Sequence, residues 1–313
     1  MRRFILEIAV LLSLLLVSLY FLDTGHKSAG AAKFENISEK LEIITLGNSH
    51  GGASNFGTLA LTAASFNRAG NTLYYDKQNY KYLKKYLADS AIIILPVSYF
   101  SFGLEENRDD RGKVNPFVNQ FYEYLPPNSI LGYSIKKDLS LKINRIQKRI
   151  SGLYPAKNKE QPKKKKKRIV PDVSEKIAAL NKSASKASEL HKKIFGYGEP
   201  SRNVKYLTDL IEDAKKNGYK PILITTPYYK AYNDSFDSTW LKENYYRHMD
   251  SISDAHKTIY LDYGHESKII ANPVLFKNSD HLSAKGRIKF SQIFFQDLVQ
   301  LGVLKKEDIK PSK

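Results

Sequence analysis

Cysteine is absent from the 313-residue sequence. Its absence excludes disulfide bonds and thiolate metal sites, and it is compatible with export from a bacterium. No internal repeat is visible, so the sequence does not indicate a solenoid or a propeller. The charged residues also come without a nucleic-acid recognition module, and we therefore do not expect nucleic acid as a partner.

Closely spaced histidines are lacking as well. His248 and His256 are eight positions apart, and His265 stands alone after Asp262. A helical metal site typically has its ligands at positions i and i+4. The spacing therefore predicts no metal site, and nothing in the sequence indicates a bound cofactor.

Acidic residues are too few to balance the basic ones: 32 Asp and Glu stand against 50 Lys and Arg, giving a net charge of +18. Residues 136–168 hold 14 of the basic residues and only two acids, and they end in the run Lys163–Arg168. Like-charge blocks of this kind are often solvated loops. The alternative is a surface facing a polyanion such as teichoic acid, acidic polysaccharide or lipid head groups.

The N-terminal segment is the longest apolar stretch. Arg2 and Arg3 precede the 19 residues of Phe4–Leu22, which Glu7 and two serines interrupt. About 20 apolar residues span a bilayer, and flanking arginines favour the cytoplasmic side. We predict an uncleaved transmembrane anchor with the rest of the chain outside. A cleaved signal peptide, ending near Ala29-Gly30-Ala31, and a buried core helix are the alternatives.

The body of the chain alternates between apolar runs and amphipathic segments, and its 42% hydrophobic content is ample for a core. Continuous apolar runs without polar alternation indicate strands buried on both faces, as in parallel sheets covered by helices. The predicted strands are 41–46, 91–97, 221–226 and 258–261. The predicted helices are 55–66, 77–87, 203–217, 240–253 and 283–298. This order predicts a doubly wound α/β fold.

The stretch Leu41–Gly52 combines an apolar run, a break at Gly47 and a serine, Ser49, between Asn48 and His50. A strand followed by a sharp turn and a helix is the arrangement by which α/β hydrolases expose a nucleophilic serine. The simpler interpretation is that Ser49 is a helix N-cap, because serine is favoured there.

A second polar cluster, Phe276–Gly286, lies near the other end of the chain. It places Asp280 and His281 together just before the last predicted helix. A serine after an early strand and a histidine before the last helix are the two ends of a serine-hydrolase constellation.

These motifs resemble the SGNH (GDSL-like) hydrolase superfamily. GNSH at 47–50 is similar to its nucleophile block and SDHLSAKG at 279–286 to its histidine block. SFNRAG at 65–70 and ILPVSYFS at 94–101 resemble the two inner blocks. Within the superfamily, the chain is most similar to the membrane-anchored extracytoplasmic branch, which includes teichoic-acid D-alanyl transfer proteins and exopolysaccharide O-acetyltransferases.

The resemblance implies a three-layer α/β/α, flavodoxin-like sheet of five parallel strands behind an N-terminal transmembrane helix. The implied organisation is an anchor at 1–22, a stalk at 23–40, an SGNH-like domain at 41–300 with a basic insert at about 136–200, and a C-terminal tail at 301–313. Ser49 would be the nucleophile and His281 the general base. The backbone N–H of Ser49 and a donor near Gly70, Asn67 or Ser98 would stabilise the oxyanion.

Three residues depart from the superfamily pattern. Asn48 stands where an aspartate usually precedes the serine. Ser98 or Ser101 stands in the region that usually supplies an oxyanion asparagine. Asn278 occupies the usual position of the acid, three residues before the histidine. We favour Asp280 as the acid, with Asn278 and Asp262 as alternatives.

The function implied is a serine-dependent O-acyl esterase or acyltransferase acting on a cell-surface glycan or teichoic-type polymer. Its partners would be that glycan or anionic polymer, a membrane-bound O-acyltransferase, and membrane lipid through the N-terminal helix. The alternative is a catalytically inactive glycan-binding or scaffold subunit of a surface-polymer modification system.

Overall fold

The computed structural model describes residues 28–104, 116–153 and 172–310, together with residues 3–8, 10–11, 13–14 and 17 of the N-terminal segment. The chain divides into two compact units. One contains Met1–Asn36 and Val118–Ile169, and the other contains Ile37–Phe117 and Val170–Lys313. The second unit holds both motifs, the one around Ser49 and the one around His281.

The strands are β1 (Leu41–Thr45), β2 (Ala63–Ser65), β3 (Leu87–Pro96), β4 (Lys220–Thr225), β5 (Ile259–Asp262), β6 (Phe276–Asn278) and β7 (His281–Leu282). The described α-helices are α1 (Ala29–Glu35), α2 (Leu73–Leu83), α3 (Ile135–Leu153), α4 (Val173–Phe195), α5 (Pro200–Lys216), α6 (Lys230–Asn233), α7 (Ser238–Leu241), α8 (Arg247–His256), α9 (Ser267–Ile270) and α10 (Ala284–Gln300). A π-helical turn, Lys242–Tyr246, joins α7 to α8.

Five strands form one sheet in the order β2-β1-β3-β4-β5, and every neighbouring pair is parallel. This is the doubly wound order of flavodoxin-like folds. Strand side chains alternate between faces. Ile92 and Ile94 of β3 pack into one core with Phe290 and Phe294 of α10, and the intervening Ile93 is equally buried. Both faces are therefore covered, and the predicted parallel α/β sheet of five strands is confirmed.

The segment after Ser49 differs from the prediction. The helix predicted for 55–66 is wrong: two short 3-10 turns, Ser49–Ala53 and Phe56–Thr58, lead directly into β2. β2 pairs with β1, with Ala63 opposite Ile43. Its sequence, Ala-Ala-Ser, lacks the β-branched and aromatic residues that mark strands, so main-chain pairing to β1 rather than side-chain propensity makes it a strand.

In the first unit, the predicted stalk contains helix α1, which begins after the capping residue Ser28. Ala31 and Phe34 of this helix are buried, and the Phe34 ring stacks on Tyr124 at 4.0 Å. They are three positions apart and share one helix face. The stalk is therefore partly folded.

Two predicted segments fall largely outside the described residues. Among the helices that the described residues form, none is long and apolar enough to cross a membrane, and much of the predicted anchor at 1–22 is not described. The run Lys163–Arg168 is also outside the described ranges. The rest of the predicted basic insert contains α3 and α4, and α4 belongs to the second unit.

Candidate active site

The candidate catalytic residues gather at the carboxyl edge of the sheet. The Ser49 turn follows β1, Asn67 and Gly70 follow β2, and Ser98 follows β3. The carboxyl ends of parallel strands meet at one edge, which is where such folds bind ligands. The β6–β7 hairpin brings His281 there too, because β7 lies against the 3-10 turn that begins at Ser49.

The turn after β1 is shaped by Gly47. Its φ of +97° is one that L side chains rarely adopt, and an added Cβ would lie 3.1 Å from the carbonyl oxygen of Pro96. Asn48 is the N-cap of the following turn, since its Oδ1 accepts the His50 N–H at 2.9 Å. The N-cap interpretation of Ser49 is therefore wrong: Ser49 is the first residue inside the turn, and it is half-buried.

A buried acidic residue at the start of α2, Asp76, holds the backbone of the Gly47 turn in place. Asp76 Oδ1 accepts the Gly47 N–H at 2.6 Å and also a hydrogen bond from the Asn71 amide. Burial raises the pKa of Asp76 to about 7, although both hydrogen bonds act in the opposite direction. Nothing in the local sequence pattern marked Asp76.

Asn48 and Ser98 form a buried network with His50. The Asn48 side-chain amide donates to Ser98 Oγ at 3.0 Å, and Ser98 Oγ lies 2.7 Å from Nδ1 of His50. An amide can both donate to Ser98 and accept from the His50 backbone, whereas an ionised aspartate can only accept. The departure at position 48 therefore has a structural role.

The hairpin explains how His281 is held. Asn278 and His281 are partners across the antiparallel β6–β7 pair, so their side chains share one face. Asn278 Oδ1 lies 3.0 Å from Nδ1 of His281. The turn also places Asp280 Oδ1 3.3 Å from the same nitrogen. Two of the three residues considered as the acid, Asn278 and Asp280, therefore contact His281.

These contacts indicate where the protons are. Nδ1 of His281 faces two acceptors, so it carries the hydrogen and leaves Nε2 with a lone pair. Burial raises the pKa of Asp280, but hydrogen bonds from His281 and His50 outweigh it and hold the pKa well below its usual range. The His281 side chain is 29% exposed and Asp280 only 7%. The His281 ring is therefore open to solvent on one side, and the ionised Asp280 carboxylate is buried against it.

Ser49 and His281 lie near each other but are not bonded. The ring of His50, next in the chain to Ser49, packs edge-on against the His281 ring with centroids 4.7 Å apart. No hydrogen bond joins Ser49 Oγ to His281 within the described ranges. Such bonds are often long before substrate binds, so the arrangement is compatible with a serine–histidine pair.

The hairpin is fixed by two neighbours of its turn residue, Ser279. The backbone N–H of Tyr229 donates to the Ser279 carbonyl at 2.9 Å, and Ser183 Oγ of α4 lies 3.1 Å from Ser279 Oγ. Tyr228, Tyr229 and Tyr232 are buried. The three tyrosines, which follow β4, are therefore packing residues and do not line an open cleft.

Of the three residues predicted to stabilise the oxyanion, Ser98 is buried beneath the site, whereas Asn67 and Gly70 follow β2. Ser98 is buried and its hydroxyl is bonded to His50, so it lies beneath the site. Asn67 Oδ1 accepts from Ser65, which directs its Nδ2 toward the serine turn: a Cβ added at Gly52 would lie 3.2 Å from that nitrogen. Among the described residues Nδ2 has no acceptor. Gly70 follows with a φ of +65° beneath the Phe117 ring.

Asp262, the third residue considered as the acid, lies elsewhere. It is exposed at the end of β5 and accepts the Gly264 N–H at 2.8 Å. His256 contacts Glu212 and His265 contacts Tyr99. Of the described residues, His50, Asp280 and His281 have donor atoms within 4.8 Å of one another, close enough to share a metal ion. Their facing atoms already pair with one another as donors and acceptors.

Comparison with known proteins gave structural neighbours only. No protein-family model and no curated protein matches the sequence. The neighbours are GDSL-like lipases and acylhydrolases. A GDSL-like lipase from Bacteroides thetaiotaomicron has 10% identity and a TM-score of 0.42 over 87% of this chain and 96% of its own. A lipase/acylhydrolase from Enterococcus faecalis has 12% identity and a TM-score of 0.35 over 87% and 100%.

A protein described as an acylhydrolase from Bacteroides fragilis has 12% identity and a TM-score of 0.44 over 89% of this chain and 100% of its own. At these values the similarity identifies neither the reaction nor the substrate of this chain. What the site can do has to follow from its own geometry.

Proposed function

We propose that this protein is a serine-dependent O-acyl esterase or acyltransferase in which Ser49 is the nucleophile and His281 the general base. The observation that carries the proposal is the pair of contacts made by the Nδ1 atom of His281. It lies 3.0 Å from Asn278 Oδ1 and 3.3 Å from Asp280 Oδ1. That orientation fixes the proton on Nδ1 and leaves Nε2 free on the same sheet edge as Ser49.

The reaction follows from these positions. Nε2 of His281 takes the proton of Ser49 Oγ as the oxygen attacks an ester carbonyl. The tetrahedral intermediate then expels the alcohol, which leaves with the proton from Nε2, and the acyl group remains on Ser49. Water or a sugar hydroxyl repeats the steps in reverse and releases the acyl group. Asp280 stabilises the imidazolium formed in each half of the reaction.

The oxyanion is assigned to the backbone N–H of Ser49 together with Asn67 Nδ2 or the Gly70 N–H. Asn67 Nδ2 supports this because it faces the serine turn without another acceptor in the described ranges. A preorganised donor of this kind contributes roughly 10²–10³ in turnover. Asn67 would thus supply, from the end of β2, the amide that the superfamily usually places after β3.

The proposal is tested by labelling the full chain, in detergent, with a fluorophosphonate probe and by following hydrolysis of a p-nitrophenyl acyl ester. Ser49→Ala should abolish labelling and reduce hydrolysis to background. The matched control is Ser54→Ala, since Ser54 lies just after the same turn and its buried Oγ has no hydrogen-bond partner among the described residues. That variant should label like the parent protein.

Undiminished labelling of Ser49→Ala would rule out the nucleophile. A parent chain that neither labels nor hydrolyses esters, yet binds an acylated glycan, would instead fit the inactive glycan-binding or scaffold subunit. Intact-mass measurement after incubation with acyl esters separates the two cases, because only the enzyme gains an acyl group on Ser49.

We assign the substrate to O-acyl groups of a cell-surface glycan or teichoic-type polymer, and the chain to the membrane with its second unit outside. The arginines before Phe4–Leu22 support this orientation. The described side chains Phe4, Leu6 and Leu11 are each more than half exposed, on residues that form helix. An exposed apolar helical surface fits lipid, and membrane fractionation with external protease tests the topology.

A further inference from the structure

His50 is a buried histidine whose two ring nitrogens both have polar partners. Nε2 lies 3.0 Å from Asp280 Oδ2, and Nδ1 lies 2.7 Å from Ser98 Oγ. The side chain is 2% exposed. Asp280 is thus shared by two histidines: one oxygen faces His50 and the other faces His281.

The partners decide the protonation of His50. Asp280 is an acceptor, so Nε2 carries the hydrogen, and Nδ1 accepts from the Ser98 hydroxyl, which in turn accepts from Asn48. Burial lowers the pKa of His50, while its contact with Asp280 opposes that change. His50 is therefore a neutral donor to an ionised carboxylate.

We propose that His50 is a positioning residue that holds Asp280 by Oδ2, keeps Oδ1 directed at His281, and divides the carboxylate charge between the two rings. This rests on the proposed function and deepens it. The same contacts tie Asn48, the residue before the nucleophile, through Ser98 and His50 to Asp280. One chain of hydrogen bonds thereby fixes the turn that begins at Ser49 to the β6–β7 hairpin that carries His281.

A neighbouring histidine, His191, is buried like His50 but does not bond Asp280, and it serves as a comparison. His191 of α4 is also buried, its Nδ1 lies 2.6 Å from the Tyr232 hydroxyl, and its ring packs 4.0 Å from that of Phe100. Burial lowers its pKa to about 3, so it is neutral as well. No hydrogen bond from His191 to Asp280 occurs in the described part of the chain. His50 differs from it in bonding the acid.

The experiment measures the pKa of His281 by NMR in the full chain, in detergent micelles, for three variants. The titratable groups around Asp280 are His50, His281, His191, Tyr228 and Tyr232. His50→Leu removes the donor, so the full carboxylate charge acts on the imidazolium of His281, and the measured titration of its ring should move to higher pH. His50→Gln keeps an amide donor near the Nε2 position and should largely restore the parent value.

His191→Leu is the matched control and should leave the His281 titration unchanged. The acid limb of the kcat/KM profile for a small ester should move upward in pH with His50→Leu, and kcat should fall while KM changes little. Melting temperatures show whether each variant is folded. If His50→Leu unfolds, the His281 titration of His50→Gln is compared with those of the parent chain and of Asp280→Asn. These comparisons test the contact between His50 and Asp280.

An unmoved His281 titration in a folded His50→Leu chain would overturn the proposal, as would a His50→Gln chain that behaves like His50→Leu. The NMR measurement does not require activity. A failure of the proposed function appears separately, as a parent chain that the fluorophosphonate probe does not label at Ser49.

Discussion

At the scale of single residues, Asp280 and Asn278 both contact Nδ1 of His281 but offer it different chemistry. Asn278 is the cross-strand partner of His281 and lies 3.0 Å from its Nδ1, whereas Asp280 approaches the same atom at 3.3 Å from the turn. An amide can orient an imidazole but brings no charge to stabilise imidazolium. The hairpin thus places an amide, Asn278, that can orient the His281 ring, and a carboxylate, Asp280, that brings charge to it.

This division predicts unequal effects of mutation. Asp280→Asn keeps the volume but removes the charge, and we expect kcat for a small ester to fall by about 10³–10⁴, since the comparable change in a serine triad costs about 10⁴. Asn278→Ala should cost far less, roughly tenfold or less, because Asp280 still contacts Nδ1. If Asn278→Asp raises kcat and Asp280→Asn has no effect, the acid has been assigned to the wrong residue.

The sequence could indicate Ser49, His281 and Asp280 because each lies in a short local motif. It could not indicate the partner of His50, since the His50–Asp280 contact joins positions 230 residues apart. The one available signal was a histidine directly after the candidate nucleophile. Likewise, adjacency of Asp280 and His281 argues against contact in an extended strand, and only the two-residue turn of the hairpin brings the two side chains together.

At the scale of elements, the buried strands were predictable and the connection after Ser49 was not. β3 and β4 each contain a buried apolar run, and both strands lie within a few residues of their predicted bounds. β2 is three small residues at the sheet edge, where propensity is weak and pairing decides. Asn55 caps a 3-10 turn there, because its Oδ1 accepts the Gly57 N–H.

The same connection gives a test of how closely it is packed. A Cβ at Gly51 would lie 2.6 Å from the Leu46 carbonyl oxygen and 2.9 Å from Asn67 Cβ. Gly51→Ala should therefore displace the serine turn, lower stability by about 1–3 kcal/mol and reduce Ser49 labelling. Gly196→Ala is the control, since its nearest contact is 3.4 Å and its φ is −73°. Equal chemical-denaturation midpoints for both variants would contradict the geometry.

The start of α2 provides a pH-dependent element. Asp76 has a pKa of about 7 in the folded chain against an ordinary 3.8, so the folded state retains its proton after the unfolded state has lost it. Its contribution to stability is therefore present below about pH 4 and is lost as pH rises through about 7. Asp76→Asn keeps the acceptor for the Gly47 N–H and does not titrate.

We expect the melting temperature of Asp76→Asn, relative to the parent chain, to increase progressively from pH 4 to pH 7 and then to stay constant. Thermal denaturation at one-unit intervals measures the difference, and subtracting the two curves removes titrations common to both chains. A difference that does not vary with pH would mean that Asp76 is ionised in the folded protein at all these values.

At the scale of the whole molecule, the basic insert proved to be more than a loop. Its first part is helix α3 of one unit, and its last part is α4 of the other. α4 carries Ser183, which supports the hairpin turn at Ser279. Composition could show that the charge is concentrated there, but not that residues at one end of the segment support the site, because that depends on a contact 96 positions away.

The run Lys163–Arg168 holds six of the charges behind the net +18, and it remains a prediction that it attracts an anionic polymer. Attraction of this kind is screened over about 8–10 Å at moderate salt. Replacing the six residues by glutamine should weaken binding to poly(glycerol phosphate) at low salt and flatten its salt dependence. Turnover of a small neutral ester should not change, since that substrate carries no charge for the run to attract.

A control with the same net charge separates clustering from total charge. It replaces six dispersed, exposed lysines of the second unit by glutamine: Lys182, Lys186, Lys216, Lys285, Lys289 and Lys306. Because a cluster concentrates the field on one surface, this control should retain most of the polymer binding that the run variant loses. Equal losses in both variants would show that only net charge matters. Unchanged binding in the run variant would contradict the proposed attraction to an anionic polymer.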